Sequence, residues 1–102
     1  MPGEIDEIIH QKNRLVIMAH LAAVGESDFL ELKRTLGLTD GNLSIHTGVL
    51  ENSGYIESEK SFVGRKTRTT YRITPQGRKA FEEYVLGLEL ILKGKAGDPN
   101  AS

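Results

Sequence analysis

The densest charge chemistry in the chain lies between Lys60 and Arg72. That run holds Lys60, Arg65, Lys66, Arg68 and Arg72, with no Asp or Glu among them. Guanidinium and ammonium groups in an acid-free run suit phosphate oxygens, which accept charge-assisted hydrogen bonds. Two β-type runs flank its centre. Tyr55 to Val63 is rich in β-branched and aromatic residues, and Arg68 to Ile73 alternates, with Thr69, Tyr71 and Ile73 on one face. Gly64-Arg-Lys-Thr67 between them reads as a turn with an exposed basic tip. Arg65, Lys66 and Thr67 at such a tip can reach a minor groove or a phosphate, and Arg68 can follow the backbone. The plain alternative is an edge strand kept soluble by its charge.

A second constellation lies upstream. Leu43, Thr47 and Leu50 recur at helical spacing and form an inward stripe. The opposite face then carries Gly41, Ile45, Gly48 and Asn52, flanked by Asn42, Ser44 and Val49. Asn42 can pair with adenine, Ser44 can bond a base or a phosphate, and Ile45 can touch a thymine methyl. Gly48 permits close approach but reads nothing. Thr39 is the N-cap of this helix; it could also bond a phosphate, although capping already explains it. The plain alternative is a solvated helix face.

Other chemistries find no support. His10, His20 and His46 have no metal-ligand spacing, and the chain has no Cys. No metal, cofactor, disulfide or thiol nucleophile is expected. The turn at Gly64 lacks the spacing of a phosphate loop, and no Ser sits in a nucleophile elbow. The carboxylates are scattered, so no catalytic residue is assigned and the chain does not read as an enzyme.

The 102 residues allow one domain, taken as residues 1–93, with 94–102 as a frayed tail lacking large apolar groups. Thirteen basic residues against fourteen acidic ones give a net charge of −1, which by itself weighs against a nucleic-acid partner. Divided along the chain, that total hides a segment of +5 balanced by acid elsewhere. The acidic N-terminus is no secretory signal, and the longest apolar-rich run, Leu15 to Val24, is too short to span a membrane. A cytoplasmic protein is expected.

Four helices and a hairpin would hold these groups in place. Ile5, Ile8, Ile9, Leu15, Met18, Ala19 and Ala22 set a first helix that runs to Gly25. Asp28, with Glu31 three residues on, opens a second helix carrying Phe29, Leu32 and Leu36. The third helix runs from its Thr39 cap to Gly54. Thr74-Pro75 opens the last, with Ala80, Phe81, Tyr84, Val85, Leu88, Ile91 and Leu92 apolar and Leu86 and Leu90 on a second strip. The class is mostly α with a small β-hairpin (α+β), in the order helix-helix-helix-hairpin-helix. Two short helices joined by a tight turn, then a basic-tipped hairpin, make a winged helix-turn-helix. The doubled apolar surface points to a dimer through Ile5, Ile8, Ile9, Tyr84, Leu88, Ile91 and Leu92.

Three segments resemble small winged-helix transcriptional regulators of the MarR/ArsR-like group. Phe29-Leu-Glu-Leu-Lys-Arg-Thr-Leu-Gly-Leu-Thr-Asp-Gly-Asn-Leu-Ser-Ile-His46 resembles their helix-turn-helix. Leu50-Glu-Asn-Ser-Gly-Tyr-Ile56 resembles the helix-to-wing junction, and Gly64-Arg-Lys-Thr-Arg-Thr-Thr-Tyr-Arg-Ile-Thr-Pro-Gln-Gly-Arg78 the wing and the entry to the final helix. The resemblance covers Ile5 to Leu92 and implies a homodimeric repressor or activator that binds double-stranded DNA sequence-specifically. Thr47, where relatives usually carry an apolar residue, and Gly48 and Val49, where they often carry basic or polar ones, depart from the pattern. The chain also lacks the extra dimerisation helices of longer relatives. No effector is indicated. The alternative from another class is a winged-helix module that binds protein within transcription machinery, using an apolar face and leaving the wing idle.

Overall fold

The computed structural model describes residues 5–94. Its elements are α1 (Lys12–Val24), β1 (Glu26–Asp28), α2 (Phe29–Leu36), α3 (Asp40–Asn52), β2 (Ile56–Val63), β3 (Lys66–Ile73) and α4 (Pro75–Leu92). The three strands form one antiparallel sheet in the order β1-β3-β2.

Helix starts follow their caps. The Asp28 carboxylate accepts from the Glu31 amide at 2.8 Å, and the Thr39 hydroxyl from the Asn42 amide at 3.1 Å. Such caps satisfy amides that have no intrahelical partner. The first helix is shorter than its apolar spacing suggests. The Asp6 carboxylate takes the amides of Ile8 and Ile9 at 2.8 and 3.3 Å, which closes a separate turn. The helix proper opens only after Gln11, whose side chain accepts from the Arg14 amide at 2.9 Å.

Strand β1 is an addition to the expected two-stranded hairpin. Its three polar residues pair with β3 at Glu26↔Arg72, Ser27↔Tyr71 and Asp28↔Thr70. The hairpin is also tighter at its tip than expected, because β3 begins at Lys66 and leaves a two-residue loop, Gly64-Arg65. Gly64 has φ 66° and no non-glycine residue among those described has a positive φ. A positive φ at the first central residue alone is the requirement of a type II′ turn, whose twist suits a hairpin.

The core draws on every layer. Ile9, Ile17, Met18, Leu21, Leu32, Leu43, Leu50, Ile56, Tyr71, Ile73 and Tyr84 are buried. Thr47 joins them, its hydroxyl donating to the Leu43 carbonyl at 2.8 Å, so a polar atom in the core is satisfied. Helix α4 is bolted to the start of the hairpin. Thr74 caps the Gly77 amide at 2.9 Å, donates through its hydroxyl to the Gly54 carbonyl at 2.6 Å, and donates through its amide to the Tyr55 carbonyl at 3.1 Å.

This packing corrects part of the expected dimer surface. Ile9 and Tyr84 lie inside the monomer core at 0% and 2% exposure, and Ile5, Ile8 and Leu88 are partly buried against it. The Tyr84 hydroxyl is held by His10 Nδ1 at 2.9 Å. Of the seven residues, Ile91 and Leu92 remain exposed, at 43% and 76%; Val85 and Leu86 are exposed beside them. Helix α4 ends at Leu92, and the expected tail lies outside the described residues from 95 onwards.

Candidate nucleic-acid interface

Helix α3 buries Leu43, Thr47 and Leu50, which turns Asn42, Ser44 and Ile45 outward. Ile45 is 61% exposed, a costly place for a large aliphatic side chain. Gly48 is half-buried, and a Cβ there would meet nothing within 4 Å. Thr39 is exposed; its oxygen accepts from the cap, and its hydroxyl proton is left to donate. At the same helix end Asp40 pairs with Lys33 of α2 at 2.8 Å, which fixes the two helices of the turn against each other.

His46, on the flank of α3, belongs to the scaffold. Its Nδ1 lies 3.1 Å from an Arg14 guanidinium nitrogen. A guanidinium can only donate, so Nδ1 is the acceptor and the ring is neutral with its proton on Nε2. Burial, and then the Arg14 charge, hold the imidazole below its ordinary value of 6.5. Arg14 Nε also donates to the Ile8 carbonyl at 2.5 Å, so one side chain ties the N-terminal turn to α3. The unfolded chain therefore takes up this proton at higher pH than the folded one. The stabilisation is full above about pH 6.5 and falls as pH drops towards the depressed folded value. Urea midpoints measured from about pH 7.5 to about 5.5 should decline, and His46→Gln should flatten that decline.

The wing sorts its charges by position. At its base Arg72 faces Glu26 at 3.2 Å, Glu57 at 3.6 Å and Glu59 at 4.0 Å. These carboxylates raise its pKa and neutralise it, so Arg72 is not part of a free cationic run. Arg68 lies 3.6 Å from Asp28, whose carboxylate is held below its ordinary range chiefly by the Glu31 amide and also by the Arg68 charge. Lys60, Arg65 and Lys66 make no ion pair among the described residues. The five-charge run of the sequence is thus a tip of free cations on a compensated base. Thr67 is exposed opposite Phe62.

Alternation gives the wing two faces. Ser58, Lys60 and Phe62 continue the face that buries Ile56, and the Ser58 hydroxyl donates to Glu51 of α3 at 2.9 Å. That face therefore lies on the α3 side. Glu57, Glu59, Ser61 and Val63 point to the other. Phe62 is 77% exposed and was not singled out by its sequence context, where it reads as one more β-former. An open groove between the start of α2 and β3 is lined by Asp28, Phe29, Leu30, Thr67, Arg68 and Thr69.

Among the described residues no group of His, Cys, Asp and Glu is placed to hold a metal ion. No helix there is long and apolar enough to cross a membrane.

Comparison with known proteins agrees with this geometry. An uncharacterized protein of Methanocaldococcus jannaschii is 38% identical over 79 residues, spanning 78% of this chain and 86% of its own length. A transcriptional regulator homologue from Pyrococcus horikoshii superposes with a TM-score of 0.83 at 30% identity, over 88% of this chain and 89% of that one. A Porphyromonas gingivalis protein assigned to the MarR family of transcriptional regulators shares the fold at a TM-score of 0.65 and 22% identity, over 90% of this chain and 85% of that one. The family model described as the winged helix DNA-binding domain matches residues 13–92. The chain belongs to that winged helix DNA-binding family.

Proposed function

We propose that this chain is a sequence-specific transcriptional regulator that acts as a homodimer on double-stranded DNA. The observation that carries the reading is the free cationic wing tip, Lys60, Arg65 and Lys66, beside a solvent-facing α3. In this reading α3 enters the major groove, where Asn42, Ser44 and Ile45 meet base edges and Gly48 allows close approach. Thr39 donates to a phosphate at the helix start. The wing lies on the minor groove and backbone through Arg65, Lys66 and Thr67, with Arg68 exchanging Asp28 for a phosphate.

Dimerisation uses the exposed apolar side chains of α4, Val85, Leu86, Ile91 and Leu92, together with the partly buried Ile5 and Ile8. A two-fold dimer places its recognition helices about 34–36 Å apart and so matches a palindromic site. A cytoplasmic location follows from this role.

The test is binding to DNA fragments upstream of the chain's own gene at several salt concentrations, with sedimentation of the free protein. The reading expects a dimer at micromolar concentration and tight, salt-sensitive binding to particular fragments. A monomer removes the dimer. Equal, weak binding to every fragment removes sequence specificity and favours a protein-binding module.

A further inference from the structure

Among the described residues Phe62 is the most exposed of the large apolar side chains, at 77%, and Val63 beside it is 54% exposed. Its cross-strand partner is Thr67, and that of Val63 is Lys66, so neither finds an apolar neighbour across the hairpin. Aromatic residues in hairpins normally stabilise through such cross-strand pairs. Here a ring is held in water at the far end of a ribbon.

Its surroundings are chemically one-sided. Lys60 precedes it on the same face, Arg65 lies in the turn beyond it, and Lys66, paired with Val63, stands on the other face of the same tip; from Lys60 to Arg72 the chain has no carboxylate. Ser58 faces Tyr71, the outermost buried residue of β3, and Phe62 stands four residues beyond Ser58. At the rise of a strand the ring therefore projects about 13 Å past the core. That exceeds the depth of a minor groove, about 7.5 Å. The ring is also on the α3 side of the wing, where Ser58 meets Glu51. An apolar side chain at a cationic tip has the chemistry of side chains that enter a minor groove and separate adjacent stacked bases. A protein partner would have to leave the cations of the tip unpaired; a nucleic acid satisfies the ring and the tip at once.

We infer that Phe62 is a wedge inserted between base pairs in the minor groove under the wing, and that it makes the protein selective for an easily unstacked step there. Pyrimidine–purine steps unstack most readily, so the preference falls on TA or CA/TG at that position. The inference rests on the proposed DNA-binding function and adds to it a residue, a DNA deformation and a sequence preference at a site that makes no base-edge hydrogen bond.

The test uses the duplex that the full chain selects from a randomised library, with 2-aminopurine replacing adenine at the step under the wing. The expected result is a rise in 2-aminopurine fluorescence on binding, and enrichment of a pyrimidine–purine step there. Phe62→Ala should abolish the rise and weaken binding about tenfold or more, the scale of aromatic–base stacking. Phe62→Trp should keep the rise, which separates insertion from a loss of folding. Equal affinity and equal fluorescence for Phe62→Ala overturn the wedge while DNA binding stands. Loss of affinity with no fluorescence change in the parent also overturns it, since the ring then packs without unstacking. Failure of the parent to select any duplex overturns both the wedge and the function beneath it.

Discussion

Gly77→Ala should destabilise the protein by about 3 kcal/mol, the upper range for forcing atoms into a packed site. The sign is opposite to the usual one, because Gly→Ala inside a helix ordinarily stabilises by about 0.5–1 kcal/mol. A Cβ on Gly77 would lie 2.0 Å from the Tyr55 carbonyl oxygen and 2.7 Å from its carbon. Those atoms are backbone and have little freedom to yield. The Tyr55 oxygen accepts from the Thr74 amide, and the neighbouring Gly54 carbonyl accepts from the Thr74 hydroxyl. The Tyr55 ring is fixed as well; its hydroxyl donates to Asp6, and burial with that contact pushes its pKa up to about 12. Gly48→Ala is the matched control. It is also helical, a Cβ there meets nothing within 4 Å, and it should gain stability. Urea denaturation of both variants checks the contrast. A Gly77→Ala protein as stable as its parent would mean that α4 can slide off the hairpin, against the close approach of Gly77 to Tyr55.

The second large effect is on binding. Arg65→Ala with Lys66→Ala should lower the slope of log affinity against log salt by about 1.8, since each phosphate contact contributes about 0.9. Referred to 1 M salt, where that contribution vanishes, the double variant loses about 60-fold at 0.1 M. The loss should be the same for cognate and random duplexes, because phosphate contacts carry no sequence information. Arg72→Ala is the informative comparison. Its guanidinium already faces Glu26, Glu57 and Glu59, so its removal should leave the salt slope nearly unchanged. Titrations of a fluorescent duplex at four salt concentrations distinguish the two. An unchanged slope for Arg65→Ala with Lys66→Ala would place the backbone contacts elsewhere.

Much of this architecture could be read from residue order, where local chemistry decides. Asp28, Thr39 and Thr74 cap helices because their side chains satisfy amides a few residues on. Leu43, Thr47 and Leu50 face inward because their spacing leaves them one face. What escaped depends on distant partners. Glu26-Ser-Asp28 has no strand character of its own; it is a strand because β3 offers an unpaired edge at Thr70 to Arg72. Ile5, Ile8 and Ile9 have helical spacing, yet Asp6 diverts their amides into a turn that Tyr55 then anchors. Apolar spacing likewise cannot separate a monomer's core from a partner's surface, which is why Ile9 and Tyr84 lie deeper than a seam allows. At the candidate site, charge counted along the chain includes Arg72, whereas its carboxylates come from three positions on two other strands.

That arrangement at the base of the wing has a kinetic meaning. Three carboxylates surround one guanidinium, so the collar is net negative while the tip is positive. Glu57 and Glu59 lie on the face turned away from α3. A polyanion drifting in from that side passes these carboxylates before it reaches the tip, and one arriving from the α3 side meets Lys60 on that face. In the proposed docking, this asymmetry should favour a duplex that approaches from the α3 side over one that approaches from the carboxylate face. With a net charge of only −1, the chain has little long-range attraction for DNA, so in that docking the orientation of each collision would weigh more than its frequency.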